Sequence, residues 1–239
     1  MLAWPPPYLI TKHPRAKHVK IKASVHKGLE FVVPMRFSVK HIPELLETHK
    51  AWILKKLAVI QDKLTSIEQQ TLPDIITLNA LNETWKVFYI PSDSQKIKLH
   101  LRPQHELILL GNIDDKAACQ KALLKWIKKK AHAALALRLK TLSIGTDLPY
   151  NDHMTRTHRA RWGSCSHDKN ISLNFKLIFL PTALADHVIV HELCHTIHMD
   201  HSSDFWDLVT RFDPQCKTHK AALKQGDTWI PAWVEAHFI

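Results

Sequence analysis

Apolar and polar residues alternate along KHVKIKASVHKGLEFVV, residues 17 to 33, around Lys27-Gly28. A period of two predicts a β-hairpin, which Pro34 ends. The period then changes. Across residues 39 to 64, Leu45, Leu46, Ile53, Leu57, Ile60 and Leu64 recur at helical intervals, with Pro43 in the first turn. Short strand-like runs return between residues 75 and 110: IITLNAL, TWKVFYI, KIKLHL and ELILL, separated by polar and proline-bearing turns.

Gly111-Asn112 is the clearest break in the pattern. Residues 114 to 142 read as one long helix, with Leu124, Ile127, Ala131, Leu135 and Leu142 on one stripe. Asp114 and Asp115 suit its N-terminus, where the helix dipole favours acids. Between residues 153 and 178, RARWGSCS and ISLNFKLIF flank the charged turn HDKN and predict a second hairpin. TALADHVIVHELCHTIH, residues 182 to 198, has no proline or glycine. Its Leu184, Val188, Ile189, Leu193 and Ile197 predict a buried helix. A further helix begins near Ser202 and stops at Asp213-Pro214, QCKTHKAALKQ forms a short last helix, and TWIPAWVEAHF is an aromatic tail. The pattern predicts an α+β chain. A small β-rich N-terminal domain with one helix near 39–64 spans residues 1–111, and a second domain spans 112–239.

Composition narrows the partners. The chain has 239 residues, 45% of them hydrophobic, as expected of a globular protein. No apolar run approaches the roughly 18 to 20 residues that cross a bilayer, which predicts no membrane partner. MLAWPPPYLI is too short and proline-broken for a signal-peptide core, so a cytoplasmic chain is expected. The four cysteines, 119, 165, 194 and 216, form no C-x-x-C pair and read as reduced packing thiols. A net charge of +11 favours anionic partners and leaves a nucleotide or nucleic acid open. Lys121, Lys125, Lys128, Lys129 and Lys130 read as a solvated face of the long helix, with an anion-binding face as the alternative.

The chemistry concentrates in VIVHELCHTIHMDHSSDFW, residues 188 to 206. Eighteen histidines weaken a bare H-E-x-x-H, but Glu192 is the only charge between residues 188 and 197. A surface helix matching by accident would carry more. Residues four apart share a helix face, so His191 and His195 can meet one zinc ion. Glu192 then stands beside the metal, placed as a general base. His187 and His198 share that face by phase, yet His191 and His198 would lie roughly 10.5 Å apart along the axis. Ligands strung along one axis cannot surround a metal. A third ligand must lie beyond a turn, which favours His201 over His198 if the helix ends near Met199. Asp200 tolerates a left-handed turn, and Ser202 or Ser203 can cap the next helix. His187 reads as packed or solvent-facing. The expected site is one Zn2+ per chain on His191, His195 and His201, with an open position for water. The electrophile is a peptide carbonyl or a phosphorus centre.

RARWGSCS, ISLNFKLIFLP and DHVIVHELCHTIHMDHSSDFW resemble the YgjP-like metallopeptidase family, a zincin-like group related to the SprT-type metalloproteases. Weaker similarity extends through HPRAKHVKIKASVHKGLEFVVP and HKAWILKKL. The resemblance implies a zincin-like metallohydrolase domain over 112–239, zinc on His191, His195 and His201, and Glu192 as catalytic acid/base. It also implies a helix over 114–142 behind the active-site helix. A hairpin over 161–178 would edge the cleft, where a peptide adds as a strand. The ligand spacing equals that of metzincins, but their glycine position is His198 and no methionine follows Met199 for a Met-turn. That group is rejected.

Arg156, Arg159 and Arg161 precede and enter the hairpin. Arg159 and Arg161 are the candidates for gripping substrate, as oxyanion or phosphate partners. Trp162 and Trp206 read as core, and Cys165 and Cys194 as packing residues. The leading function is a zinc-dependent peptidase acting on a protein or peptide. The alternatives are a metal-dependent pyrophosphohydrolase acting on nucleoside triphosphates and a non-enzymatic nucleic-acid-binding module with structural zinc.

Overall fold

The computed structural model describes residues 4–24, 27–68, 72–158 and 161–236. Contacts group them into two compact units, Met1–Thr71 with Glu235–Ile239, and Leu72–Val234.

The first unit holds a three-stranded sheet of β1 (Tyr8–Lys12), β2 (Lys20–Ser24) and β3 (Gly28–Val33), in the order β1-β3-β2. The expected hairpin is β2 with β3, antiparallel, with Ser24 opposite Gly28. β1 joins β3 in parallel on its other side, with Tyr8 opposite Leu29. Its sequence YLITK does not alternate, so its period carries no strand signal. The helical run divides into α1 (Ile42–Thr48) and α2 (Lys50–Glu68), parted at His49, and Pro43 lies in the first turn of α1. Leu29, Phe31 and Val33 of β3 pack with Ile42, Leu46 and Ile53 into one core.

The second unit begins with β4 (Ile75–Leu78), β5 (Glu83–Pro91), β6 (Lys98–Arg102) and β7 (Glu106–Gly111), in the order β4-β5-β7-β6. β5 and β7 run parallel, and both outer pairs are antiparallel. α3 (Lys116–Thr146) comes next, with the Asp115 side chain accepting the Ala118 N–H at 2.9 Å. Leu123, Ile127, Ala131, Leu135 and Leu139 form its buried stripe. Trp126 of this helix meets Trp85 of β5 edge-on at 4.9 Å, and Lys130 pairs with Glu83 at 2.8 Å. Asn79 donates to the Phe179 carbonyl at 2.7 Å. Residues 72–111 therefore pack against α3 and the C-terminal half of the chain. The break at Gly111-Asn112 is the connection from β7 to α3 within one unit, and the contacts divide the chain after Thr71.

A second three-stranded sheet contains β8 (Asp152–Arg156), β9 (Gly163–Cys165) and β10 (Asn170–Asn174), in the order β8-β10-β9. The expected hairpin is β9 with β10, Cys165 opposite Ile171, and it leaves β9 at the sheet edge. FKLIF does not continue the strand. The Asn174 side chain accepts the Lys176 N–H and opens a 3-10 turn over Phe175–Phe179, whose five residues are all buried. Then come α4 (Thr182–Cys194), α5 (Ser203–Phe212), α6 (Cys216–Leu223) and α7 (Ala232–Ala236). Arg138 of α3 donates to Asp186 of α4 at 2.7 Å, tying the long helix to the motif helix. Among the described residues no helix is long and apolar enough to cross a membrane.

Candidate metal centre

α4 is buried along Leu184, Val188, Ile189 and Leu193. It stops at Cys194, with His195 as its C-cap, about a turn before the Met199 end expected from sequence. The Leu193 carbonyl accepts both the backbone N–H of Thr196 at 2.9 Å and its hydroxyl at 2.7 Å, a tightened last turn. Ile197 lies past that end and is half exposed for that reason. Asp200 makes the turn without a left-handed backbone, and its carboxylate accepts the Ser202 N–H at 3.2 Å. Ser202 is the N-cap of α5 but makes no side-chain capping bond.

The early stop brings three imidazoles together. His191 Nε2 lies 3.2 Å from His195 Nε2 and 3.2 Å from His201 Nε2. His195 Nδ1 donates to the His198 carbonyl at 2.9 Å, which leaves its Nε2 a bare lone pair facing the cluster. His198 thus brings its backbone oxygen to the site. Burial, then the neighbouring His195 and His201, pushes His191 down to about 3 and keeps it neutral. One proton on His191 Nε2 can satisfy one neighbour, not both. Nitrogens bound at about 2.0–2.1 Å to a tetrahedral ion would lie about 3.3–3.4 Å apart. The donor set fits a divalent metal. Phe205 of α5 underlies all three rings, 4.4 Å from His195 and 4.9 Å from His191 and from His201.

Glu192 is buried beside the cluster, 6% exposed. Burial pushes its carboxyl up to about 8, and the Arg161 guanidinium works against that. Its carboxyl packs on the backbone of Gly163, the first residue of the edge strand β9. His187 is packed: its Nδ1 meets Asp213 Oδ2 at 2.6 Å, and His219 Nδ1 meets the same oxygen at 2.9 Å.

A cavity of about 540 Å³ opens beside the histidines, lined by Arg161, Trp162, Glu192, Trp206 and Lys220 among others. Trp162 and Trp206, expected in the core, are half-buried in its walls. Beyond the cluster a second cavity of about 260 Å³ is lined by Gly163, Cys165 and Met199. Burial, then Glu192, pushes the Cys165 thiol up to about 11, and the buried Cys194 rises to about 12. Arg156 lies on β8, where it donates to the Met154 sulfur, and Arg159 lies outside the described residues. Sequence reasoning does not single out Gly163, Phe205, Asp213 or Lys220. Only Gly163 carries a signal there, as one of five glycines and within the motif-bearing hairpin.

The profile of the YgjP-like, metallopeptidase domain family matches residues 17–226. The chain belongs to that family. Membership makes it a metal-dependent hydrolase of the metallopeptidase kind, with peptides or proteins as substrates and a divalent metal, typically zinc. The crystal structure of the metallopeptidase zymogen of Pyrococcus abyssi abylysin is similar over 38% of this chain and 92% of that one, at 18% identity and a TM-score of 0.36. No curated protein matches.

Proposed function

We propose that the chain hydrolyses peptide bonds with one zinc ion held by His191, His195 and His201 and with Glu192 as its acid/base. The observation that carries this reading is the convergence of three imidazole nitrogens around a lone pair that the His198 carbonyl orients. Zinc, when bound, polarises a carbonyl and lowers the pKa of water. Three protein ligands leave a fourth position open, as a catalytic site requires.

The chain's own groups do the rest. Phe205 keeps the rings in register. The edge strand β9 offers backbone groups on which an extended peptide can add as a further strand. Glu192 takes a proton from the attacking water as the C–O bond forms. It returns that proton to the amide nitrogen as the C–N bond breaks, releasing a carboxylic acid and an amine. Arg161 holds the carboxyl closer to its ionised form than burial alone would. Hydrolysis of nucleoside triphosphates is the second reading, and Arg161 and Lys220 in the cavity lining, without ion-pair partners among the described residues, favour it.

Metal analysis of the purified full chain tests the ligand set. About one zinc per chain is expected. It should be lost in His201→Ala and kept in His198→Ala and Glu192→Gln. Glu192→Gln should abolish peptide cleavage while zinc stays bound. Zinc kept in His201→Ala, or full cleavage by Glu192→Gln, overturns the reading.

A further inference from the structure

The cleft has two ends of different character. On one side of the histidine cluster Cys165 and Met199 line it. On the other, among the described residues, Arg161 and Lys220 are the lysine and arginine side chains in its lining, and Glu192 is the only carboxylate there. Asp227 borders the smaller cavity next to it, of about 200 Å³. Neither Arg161 nor Lys220 has an ion-pair partner among the described residues.

A lysine or arginine without a partner is ordinary on a chain of net charge +11. These two differ in how they are held. The Lys220 ammonium lies 3.8 Å from the centre of the Trp206 ring, on the cavity wall. It has exchanged part of its hydration for an aromatic face, where an arriving anion is worth more than in open water. Arg161 and Lys220 both line the same cavity as His191, His201 and Glu192, beside the histidine cluster. Trp162 and Trp206 add apolar walls for the methylene groups of a side chain. A basic side chain entering there would meet two like charges.

We propose that Arg161 and Lys220 form a subsite for a substrate side-chain carboxylate. The chain then prefers peptides with aspartate or glutamate within two residues of the scissile bond. This rests on the peptidase reading and names its substrate class.

The test uses the zinc-loaded full chain and three peptides that differ only beside the scissile bond, carrying Glu, Gln or Lys. The Glu peptide should have a kcat/KM about tenfold above the Gln peptide, the worth of one charge-assisted contact, and the Lys peptide should be poorest. Arg161→Gln and Lys220→Gln should each bring the Glu-to-Gln ratio towards one, and Lys220→Glu should turn the preference towards Lys. A ratio of one in the unaltered chain, or a ratio that both variants leave unchanged, overturns the subsite. If no peptide is cut, the peptidase reading fails, and binding of the same peptides to the Glu192→Gln chain decides the subsite separately. Tighter binding of the Glu peptide that Lys220→Gln removes upholds it, and equal or absent binding refutes it. A nucleoside triphosphate that displaces the Glu peptide and is hydrolysed assigns the two cations to phosphate and overturns the carboxylate.

Discussion

Gly163 and Glu192 touch so closely that no other residue fits between strand and helix. A Cβ at position 163 would lie 2.7 Å from both Cγ and Oε1 of Glu192. The edge strand therefore sets where the carboxyl points. Glu192 is too buried to swing clear. Gly163→Ala should cost about 1–3 kcal/mol of stability as overpacking. It should also cut turnover at least tenfold by moving the carboxyl, while zinc content stays at the wild-type level. Metal analysis, thermal melts and kcat on the same preparation check this. A variant that turns over normally would show that the contact does not position Glu192.

How much of this is legible in the sequence depends on the range of each signal. Periodicity marks β2 with β3, β9 with β10, and α3, because each is set by neighbours in the chain. It is silent on β1, whose partner β3 lies some twenty residues away and whose YLITK has no clean alternation. Periodicity also runs α4 too far, because Ile197 is apolar and in phase, while the backbone has already tightened into turn bonds from Thr196 to Leu193 and from Ile197 to Cys194. His191, His195, Glu192 and His201 stand out because two helical turns and a loop hold them. Gly163 opposite Glu192, Asp213 between His187 and His219, and Lys220 on Trp206 are tertiary pairings, and a single sequence carries no record of them.

The raised carboxyl of Glu192 has a sign that can be read in the metal-free chain. An acid whose pKa rises from 4.5 to about 8 on folding binds its proton more tightly folded than unfolded. The folded state is favoured while that proton is present, so this contribution is lost as pH rises from 4.5 towards 8. Glutamine stands in for the protonated form. The stability of the unaltered chain relative to Glu192→Gln should therefore fall between about pH 5 and pH 8. Added zinc should shrink the difference, because a nearby cation draws the carboxyl pKa back down. A flat difference across that range in metal-free chain would remove the burial argument.

Gly226 plays the same part for Trp162. A Cβ there would stand 2.6 Å from the indole Cζ2. Gly226→Ala should lower stability by about 1–3 kcal/mol. In a Trp162→Phe background the smaller ring leaves room, and the cost should drop by more than half. A double-mutant cycle by denaturant unfolding measures that coupling. Equal costs in both backgrounds would place the strain elsewhere.

Asp213 carries two imidazoles on one oxygen, and this makes it a determinant of acid stability. Burial works to raise its pKa, but the bonds from His219 and His187 outweigh it and leave the carboxyl depressed. His187 is itself depressed, chiefly by burial, with Asp213 opposing. Both shifts have the same sign in linkage. Each group contributes stability above its unfolded pKa, 6.5 for the histidine and 3.8 for the aspartate, and loses it as pH falls through the folded value. The chain should therefore lose stability progressively as pH falls below 6.5. Asp213→Ala leaves the Nδ1–H of His187 buried without an acceptor, which costs about 1–3 kcal/mol near neutral pH. It should also reshape the acid limb: burial then acts on His187 unopposed, so the loss below pH 6.5 should steepen, while the aspartate's own share below 3.8 disappears. Urea unfolding of both chains at a series of pH values reads the two effects together. A variant with full stability near neutral pH and an unchanged acid limb would show that the two histidines find other partners and that Asp213 does not anchor them.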